Sequence, residues 1–371
     1  MKQRKIGSTV MACVLVFALA LLTACGGGAA PAGGDGDAAQ SGASGQAETA
    51  GGSEAGGGDS GAKKKYAIIF KNTGNPYGEK MMEGFRNAIE EGGGEAILKA
   101  PDQPTAEAQI QIIEELIAQK VDVIAIAAND PDALEPALKR AMDRGIKVLS
   151  LDSAVNAKSR MVHVNQADPE RIGRVQIQAI SEMIGGAGEI AVLSATSQAT
   201  NQNTWIEWMK KELEDPKYKD ITLVKVAYGD DLRDKSVSET EALLQTYPNL
   251  KGIIAPTTVG IAAAGKVLTD KGLKGKVQLT GLGLPSEMAE YIESGVSQWM
   301  YLWNPIDVGY LAGHTAISLA DGAITGKTGD KFAAGALGEK EVIADGDGTQ
   351  IMLGDPFKFD ASNIAEWKEV Y

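Results

Sequence analysis

A single stretch, Val121 to Ser153 (VDVIAIAANDPDALEPALKRAMDRGIKVLSLDS), restricts the folds open to this chain more than any other. Val121 to Ala127 is a short β-branched apolar run, too short for a helix. Asp130 then stands as an N-cap before Pro131 at the first helical position, and Gly145 closes the helix. Ile146 to Leu151 is a second run of the buried-strand kind. Two such runs joined by one helix make a right-handed crossover between parallel strands. The second run ends on an acid, Asp152, at the carboxyl edge of the sheet, where open α/β folds hold their ligands.

The same alternation extends in both directions. Tyr66 to Lys71 reads as the first strand and Gly78 to Glu91 as a helix. Glu95 to Lys99 is the next strand, Thr105 caps a helix over Ala106 to Gln119, and Arg160 to Val164 is a further strand. The pattern restarts at Asp168-Pro169 with a helix to Ile184, then a strand at Glu189 to Ser194. Helices follow over Thr204 to Leu213, Lys235 to Tyr247, Gly260 to Lys271 and Glu287 to Ser294, interleaved with strands at Thr222 to Tyr228, Gly252 to Ala255 and Val277 to Gly281. Ser297 to Trp303, a helix over Ile306 to Asp321 and a short strand at Gln350 to Leu353 remain after two complete sheets. These patterns predict an α/β protein with two parallel-sheet lobes and a chain that returns to the first. The expected boundaries are 63–165 with 304–340 for the first lobe and 166–303 with 341–371 for the second. Lobes joined by several crossings form a hinge over a cleft.

The amino terminus is a different object. Lys2, Arg4 and Lys5 precede an apolar run from Val10 to Leu22, so residues 1–25 read as a secretory signal. Leu22-Thr23-Ala24-Cys25 is similar to a bacterial lipobox, which makes Cys25 the expected lipid-modified residue and implies an anchor on the outer face of the cell membrane. Cys13, the other of two cysteines, lies in the removed segment, so the mature chain has no thiol for a disulfide or soft-metal site. Residues 26–62 are almost all Gly, Ala, Ser and a few acids, the composition of a flexible tether. Removing Lys2, Arg4 and Lys5 takes the net charge from −13 to −16, which argues against a nucleic-acid partner. Two histidines, His163 and His314, and no mature cysteine leave no metal cluster and no Cys-His pair, and both histidines read as structural.

From Lys65 to Tyr371 the chain resembles the sugar-binding proteins of ABC importers, in the ribose-binding and LacI-like class. It is most similar to rhamnose-binding proteins and their sister group, the autoinducer-2 receptors. The resemblance is carried by FKNTGNPY (Phe70 to Tyr77), ANDPDALEPALKRAMDRGIKVLSLDS (Ala128 to Ser153), ATNQNTWI (Ala199 to Ile206), APTTVG (Ala255 to Gly260), GLGLPSEMA (Gly281 to Ala289), WNPIDVGY (Trp303 to Tyr310) and DPFKFDASNI (Asp355 to Ile364). It implies the type I periplasmic binding protein fold, a hinge with three crossings, and a monomer without cofactor that passes a buried polyol to a permease.

The expected ligand contacts are Lys71 and Asp152 from the first lobe. From the second come Asn201 and Gln202, placed in the loop after the Glu189 strand, and Pro256 and Thr258. Asn304 divides between ligand contact and the N-cap of the next helix, and Thr258 between contact and cap. Trp303 is a candidate for stacking on a sugar, whereas Trp205 and Trp208 sit at core or rim spacing. Autoinducer-2 receptors resemble the chain at Lys71, Asp152, Gln202 and Pro256 but usually carry aspartate where Asn201 stands and alanine where Thr258 stands, which turns the expectation toward L-rhamnose. A carbohydrate-active enzyme would instead present paired carboxylates from both sides of the cleft. Removing the Asp152 side chain is expected to weaken binding by at least about 2 kcal/mol while leaving the unliganded melting temperature nearly unchanged.

Overall fold

A computed structural model describes residues 63–371. The expected signal (1–25), the tether (26–62) and Cys25 lie outside the described residues. The first sheet is laid down by β1 (Lys65–Ile69), β2 (Glu95–Lys99), β3 (Val123–Ile126), β4 (Lys147–Leu151) and β5 (Val162–Asn165), with α1 (Pro76–Glu91), α2 (Ala106–Ala118) and α3 (Pro131–Asp143) as the crossovers. Asp130 caps α3 by accepting from the Asp132 and Ala133 amides, with Pro131 opening the helix. β3 and β4 pair in parallel, Ile124 opposite Val148, and all four residues of β3 are buried, as a strand covered on both faces must be.

The second lobe begins with α4 (Pro169–Ile184) and continues through β6 (Gly188–Ser194), α5 (Thr200–Leu213), β7 (Ile221–Tyr228), α6 (Arg233–Thr246), β8 (Leu250–Ala255), α7 (Thr258–Asp270), β9 (Gln278–Gly281), α8 (Pro285–Glu293) and β10 (Trp299–Leu302). Its parallel strands run in the order β7-β6-β8-β9, and a Leu282–Tyr301 bridge joins β10 to that sheet's end. α9 (Pro305–Ala320) then crosses back and packs on α1. Glycines allow this approach: a Cβ on Gly309 would stand 1.8 Å from the Met81 carbonyl oxygen, and one on Gly84 would stand 1.9 Å from that of Ile306. The two helix backbones touch directly, which ties the returning chain to the first lobe.

The C-terminal segment departs from the expected boundary. After a β11 (Lys331–Ala333) and β12 (Glu339–Glu341) hairpin, β13 (Ile343–Asp345) and β14 (Gly348–Met352) extend the first sheet to the order β13-β14-β5-β4-β3-β1-β2. Residues 341–352 therefore belong with the first lobe, not the second. The cause is the open edge of β5: Ile351, fully buried, pairs beside Val164 and Gln350 beside His163, so the edge is closed by this chain's own strand. Only β15 (Phe357–Asp360), antiparallel to β10, and α10 (Ile364–Trp367) join the second lobe. The chain thus passes between the lobes near residues 165–169, 302–305 and 352–357.

Candidate functional site

The carboxyl edges of both sheets face one cavity, lined by residues of both lobes. Lys71 stands two residues beyond β1 and Asp152 follows β4 directly, each carried by a buried, mostly apolar strand. Lys71 Nζ lies 2.9 Å from Asp152 Oδ2, with side-chain exposures of only 6% and 4%. The Asp152 backbone has φ +59°, a left-handed conformation that aspartate tolerates better than most side chains. Its other oxygen, Oδ1, accepts from the Tyr77 hydroxyl at 3.2 Å, and the Trp303 indole donates to that hydroxyl at 2.8 Å. Burial first, and then the Asp152 charge, push the Tyr77 phenol well above its ordinary pKa, so it stays a neutral donor.

On the opposite lobe, Asn201 and Gln202 lie in the first turn of α5 rather than in the loop that precedes it. The helix begins four residues before the expected Thr204 because its N-cap is Ala199, which offers no side-chain acceptor and so no sequence signal. The amide oxygens are already used within the protein. Gln202 Oε1 accepts from Ser194 Oγ and the Ala195 amide, both at 2.7 Å, and Asn201 Oδ1 accepts from Ser153 Oγ and the Gln202 amide, both at 2.8 Å. The NH2 groups are left as donors to the cavity. Ser153 lies on the first lobe, so its bond to Asn201 crosses the cleft, as does the 3.1 Å bond from Thr200 Oγ1 to the Ala154 carbonyl.

Pro256 and Thr258 also line the cavity. Thr257, between them, caps α7 by accepting from the Gly260 amide, so Thr258 is not the cap. Asn304 is placed otherwise: its side chain accepts from the Ile306 amide at 3.0 Å as the N-cap of α9, and it is not part of the cavity lining. The cap explains an Asn-Pro pair fully, and ligand contact is not needed to account for it.

The cavity also contains Trp205, expected at the core or rim, and residues that were not expected as ligand contacts. Asn75, Tyr77, Trp205, Asp231 and Thr257 line it, with Phe70, Leu282 and Leu302 as apolar patches. Trp205 and Trp303 meet edge-on with ring centroids 5.8 Å apart, and Trp303 meets Tyr77 at 6.5 Å, giving one continuous aromatic wall. Asp231 means that both lobes bring an acid to the cleft, so the one-sided acid expected to set a binding site apart from a carbohydrate-active enzyme is not what the structure holds. Among the described residues no group of His, Cys, Asp and Glu could hold a metal ion, and no helix is long and apolar enough to cross a membrane.

The cavity combines a buried Lys-Asp pair, two amide donors, acidic acceptors and aromatic faces, which together match a small polyhydroxylated molecule. Residues 66–324 match a family model described as a periplasmic binding protein domain. A solved ABC transporter solute-binding protein from Clostridium phytofermentas with bound L-rhamnose is 53% identical, with a TM-score of 0.82 over 84% of this chain and 99% of the other. The D-allose-binding periplasmic protein of Escherichia coli is 25% identical over 67% of this chain and 82% of its own length. LsrB from Clostridium saccharobutylicum in complex with AI-2 has a TM-score of 0.77 over 82% of this chain and 99% of the other, and its 23% identity speaks for the fold alone.

Proposed function

Because the chain belongs to the periplasmic binding proteins, the extracytoplasmic sugar receptors of ABC importers, we propose that its cleft closes on L-rhamnose and delivers it to a permease. The 53% identity to a solute-binding protein holding L-rhamnose carries the reading. The cavity supplies the chemistry. L-Rhamnose is a 6-deoxyhexose, with hydroxyls around the ring and one methyl in place of a hydroxymethyl. Lys71, Asn201 and Gln202 donate to the hydroxyls, while Asp152 and the Pro256 carbonyl accept from them. Trp205, Trp303, Leu282 and Leu302 cover the carbon face and the methyl.

Thr258 narrows the site beside Pro256 and adds a hydroxyl. A site that pairs each hydroxyl discriminates against an analogue that lacks one, because the unmatched protein group is left buried and unpaired. Cys25 carries a lipid that holds the receptor, acting as a monomer, at the membrane's outer face. Calorimetric titration of the purified protein with L-rhamnose and with autoinducer-2 tests the ligand: heat from autoinducer-2 at micromolar concentration with none from rhamnose would reverse the assignment. The anchor is tested by the mass of the exported protein, which loses its lipid increment in a Cys25→Ala variant.

A further inference from the structure

Asp231 is a cleft carboxylate with a free oxygen, and the backbone that holds it is unusual. It follows β7 in the turn Gly229-Asp230-Asp231-Leu232, where Asp230 and Asp231 both have φ +55°. Two consecutive side-chain-bearing residues in the left-handed region are strained, and glycine would occupy either position more freely. The turn is nonetheless well held, by the Gly229 amide on the Ser194 carbonyl at 2.8 Å and the Asp230 amide on the Ala195 carbonyl at 3.1 Å. The two acids then part company. Asp230 turns outward to pair with Lys235, whereas Asp231, 9% exposed, lines the cavity. Thr257 donates to its Oδ1, and among the described residues no donor reaches Oδ2 and no cation forms an ion pair with it.

We propose that Asp231 is a ligand-binding and specificity-determining residue, which accepts hydroxyl protons of a neutral polyol from the second lobe while Asp152 does so from the first, and which bars sugars carrying a carboxylate or phosphate. The inference rests on the sugar-binding reading above and narrows it to a charge class. Lys71 already has its partner in Asp152, so Asp231 leaves the cavity lining with one acid in excess of its cations. Burial raises the Asp231 pKa, Lys71 pulls it down, and Asp152 and Asp230 add to the rise. A hydroxyl placed at Oδ2 completes the hydrogen bonding of the carboxylate. An anionic sugar would set a third negative charge among these buried groups, where charges interact strongly.

The test is calorimetry on the wild-type chain, Asp231→Asn and Asp230→Asn, each titrated with L-rhamnose, D-allose and D-galacturonate. Wild type is expected to bind a neutral sugar and reject galacturonate. Asp231→Asn is expected to weaken the neutral sugar at least tenfold and to shift the preference toward galacturonate by at least tenfold, while Asp230→Asn changes neither. Unchanged affinity in Asp231→Asn, or wild-type protein that prefers galacturonate, overturns the inference. Wild-type protein that ignores rhamnose but binds allose through Asp231 overturns the rhamnose assignment alone and supports this one. Should Asp231→Asn not fold, carbon-13 carboxyl resonances of labelled wild-type aspartates decide: a shift of the Asp231 signal on addition of sugar supports the contact, and an unmoved signal refutes it.

Discussion

The indole nitrogen of Trp303 stands 2.8 Å from the hydroxyl oxygen of Tyr77, joining a residue beside the hinge to one in the first turn of α1. Because the same hydroxyl donates to Asp152, the orientation of the principal ligand acid is set from across the cleft. Tyr77→Phe removes both bonds and leaves the buried indole N–H unpaired, a change of about 1–3 kcal/mol. The expected result is a lower melting temperature together with roughly tenfold weaker sugar binding, about 1.4 kcal/mol. A variant with unchanged affinity would show that Asp152 is held by Lys71 alone.

The buried ion pair revises the expectation for Asp152. Its removal was expected to leave unliganded stability nearly unchanged, but Lys71 Nζ is enclosed and has Asp152 as its ion-pair partner at 2.9 Å. Deleting one member of a buried pair strands the other, at about 3–5 kcal/mol when water is excluded. An open, unliganded cleft admits water to Lys71, so about 2 kcal/mol is expected for Asp152→Ala in urea unfolding without ligand. The double variant Lys71→Met with Asp152→Ala should recover part of that loss while still failing to bind sugar. A double variant no more stable than Asp152→Ala would assign the loss to something other than the stranded lysine.

How much of this could be read from the sequence depends on local signals. Lys71 and Asp152 were legible because each is a charged residue ending an apolar strand, a place that has few structural uses. Asp231 was not, since Gly-Asp-Asp after the alternating edge strand β7 reads as a solvated turn, and nothing in the string separates the outward Asp230 from the inward Asp231. Tyr77 fell outside the helix expected over Gly78 to Glu91 because Asn75-Pro76 marks a chain reversal and a helix start equally well, and Asn75 in fact caps α1. The swap of 341–352 to the first sheet was hidden for a different reason. β13 and β14 are short, and most of their residues are partly exposed, so their partner is chosen by the free edge of β5 rather than by any pattern of their own.

Closure is helped by bonds that do not involve ligand. Ser153 to Asn201 and Thr200 to the Ala154 carbonyl both cross the cleft, and each contributes about 1 kcal/mol to the closed state. Removing both hydroxyls, by Ser153→Ala with Thr200→Val, should shift the equilibrium toward the open form by about 2 kcal/mol and weaken binding roughly 10- to 30-fold. Small-angle scattering should show compaction on saturation with sugar in wild type, and in the double variant only at higher sugar concentration. Identical titration curves for compaction in the two proteins would place the closing force elsewhere.

The last expectation concerns acid. His163, buried on β5, shares a 2.9 Å hydrogen bond between its Nδ1 and Ser150 Oγ, and the Arg160 guanidinium lies beside it. Burial, and then Arg160, push its pKa from the ordinary 6.5 down to about 3. In the unfolded chain His163 takes its proton near pH 6.5, so between pH 6.5 and about 3 the unfolded state holds a proton that the folded state refuses. The folded state therefore loses stability as pH falls through that window, by at most about 1.4 kcal/mol per pH unit. Above pH 6.5 both states are neutral and the contribution vanishes. Glu135, lowered to about 2 chiefly by Lys139 and Lys158, and Glu212, which burial raises but hydrogen bonds from Arg174, Tyr218, Gln178 and Lys217 bring down to about 2, add their own acid losses only below about pH 4.5. His314, half-buried and also lowered by burial, adds a loss of the same sign, which a His314→Gln variant subtracts. Urea unfolding at pH 7, 6 and 5 should thus show wild type losing about 1–2 kcal/mol more than His163→Gln over those two units. Parallel losses in the two proteins would mean that His163 accepts its proton in the folded state, with Arg160 displaced to make room for the charge.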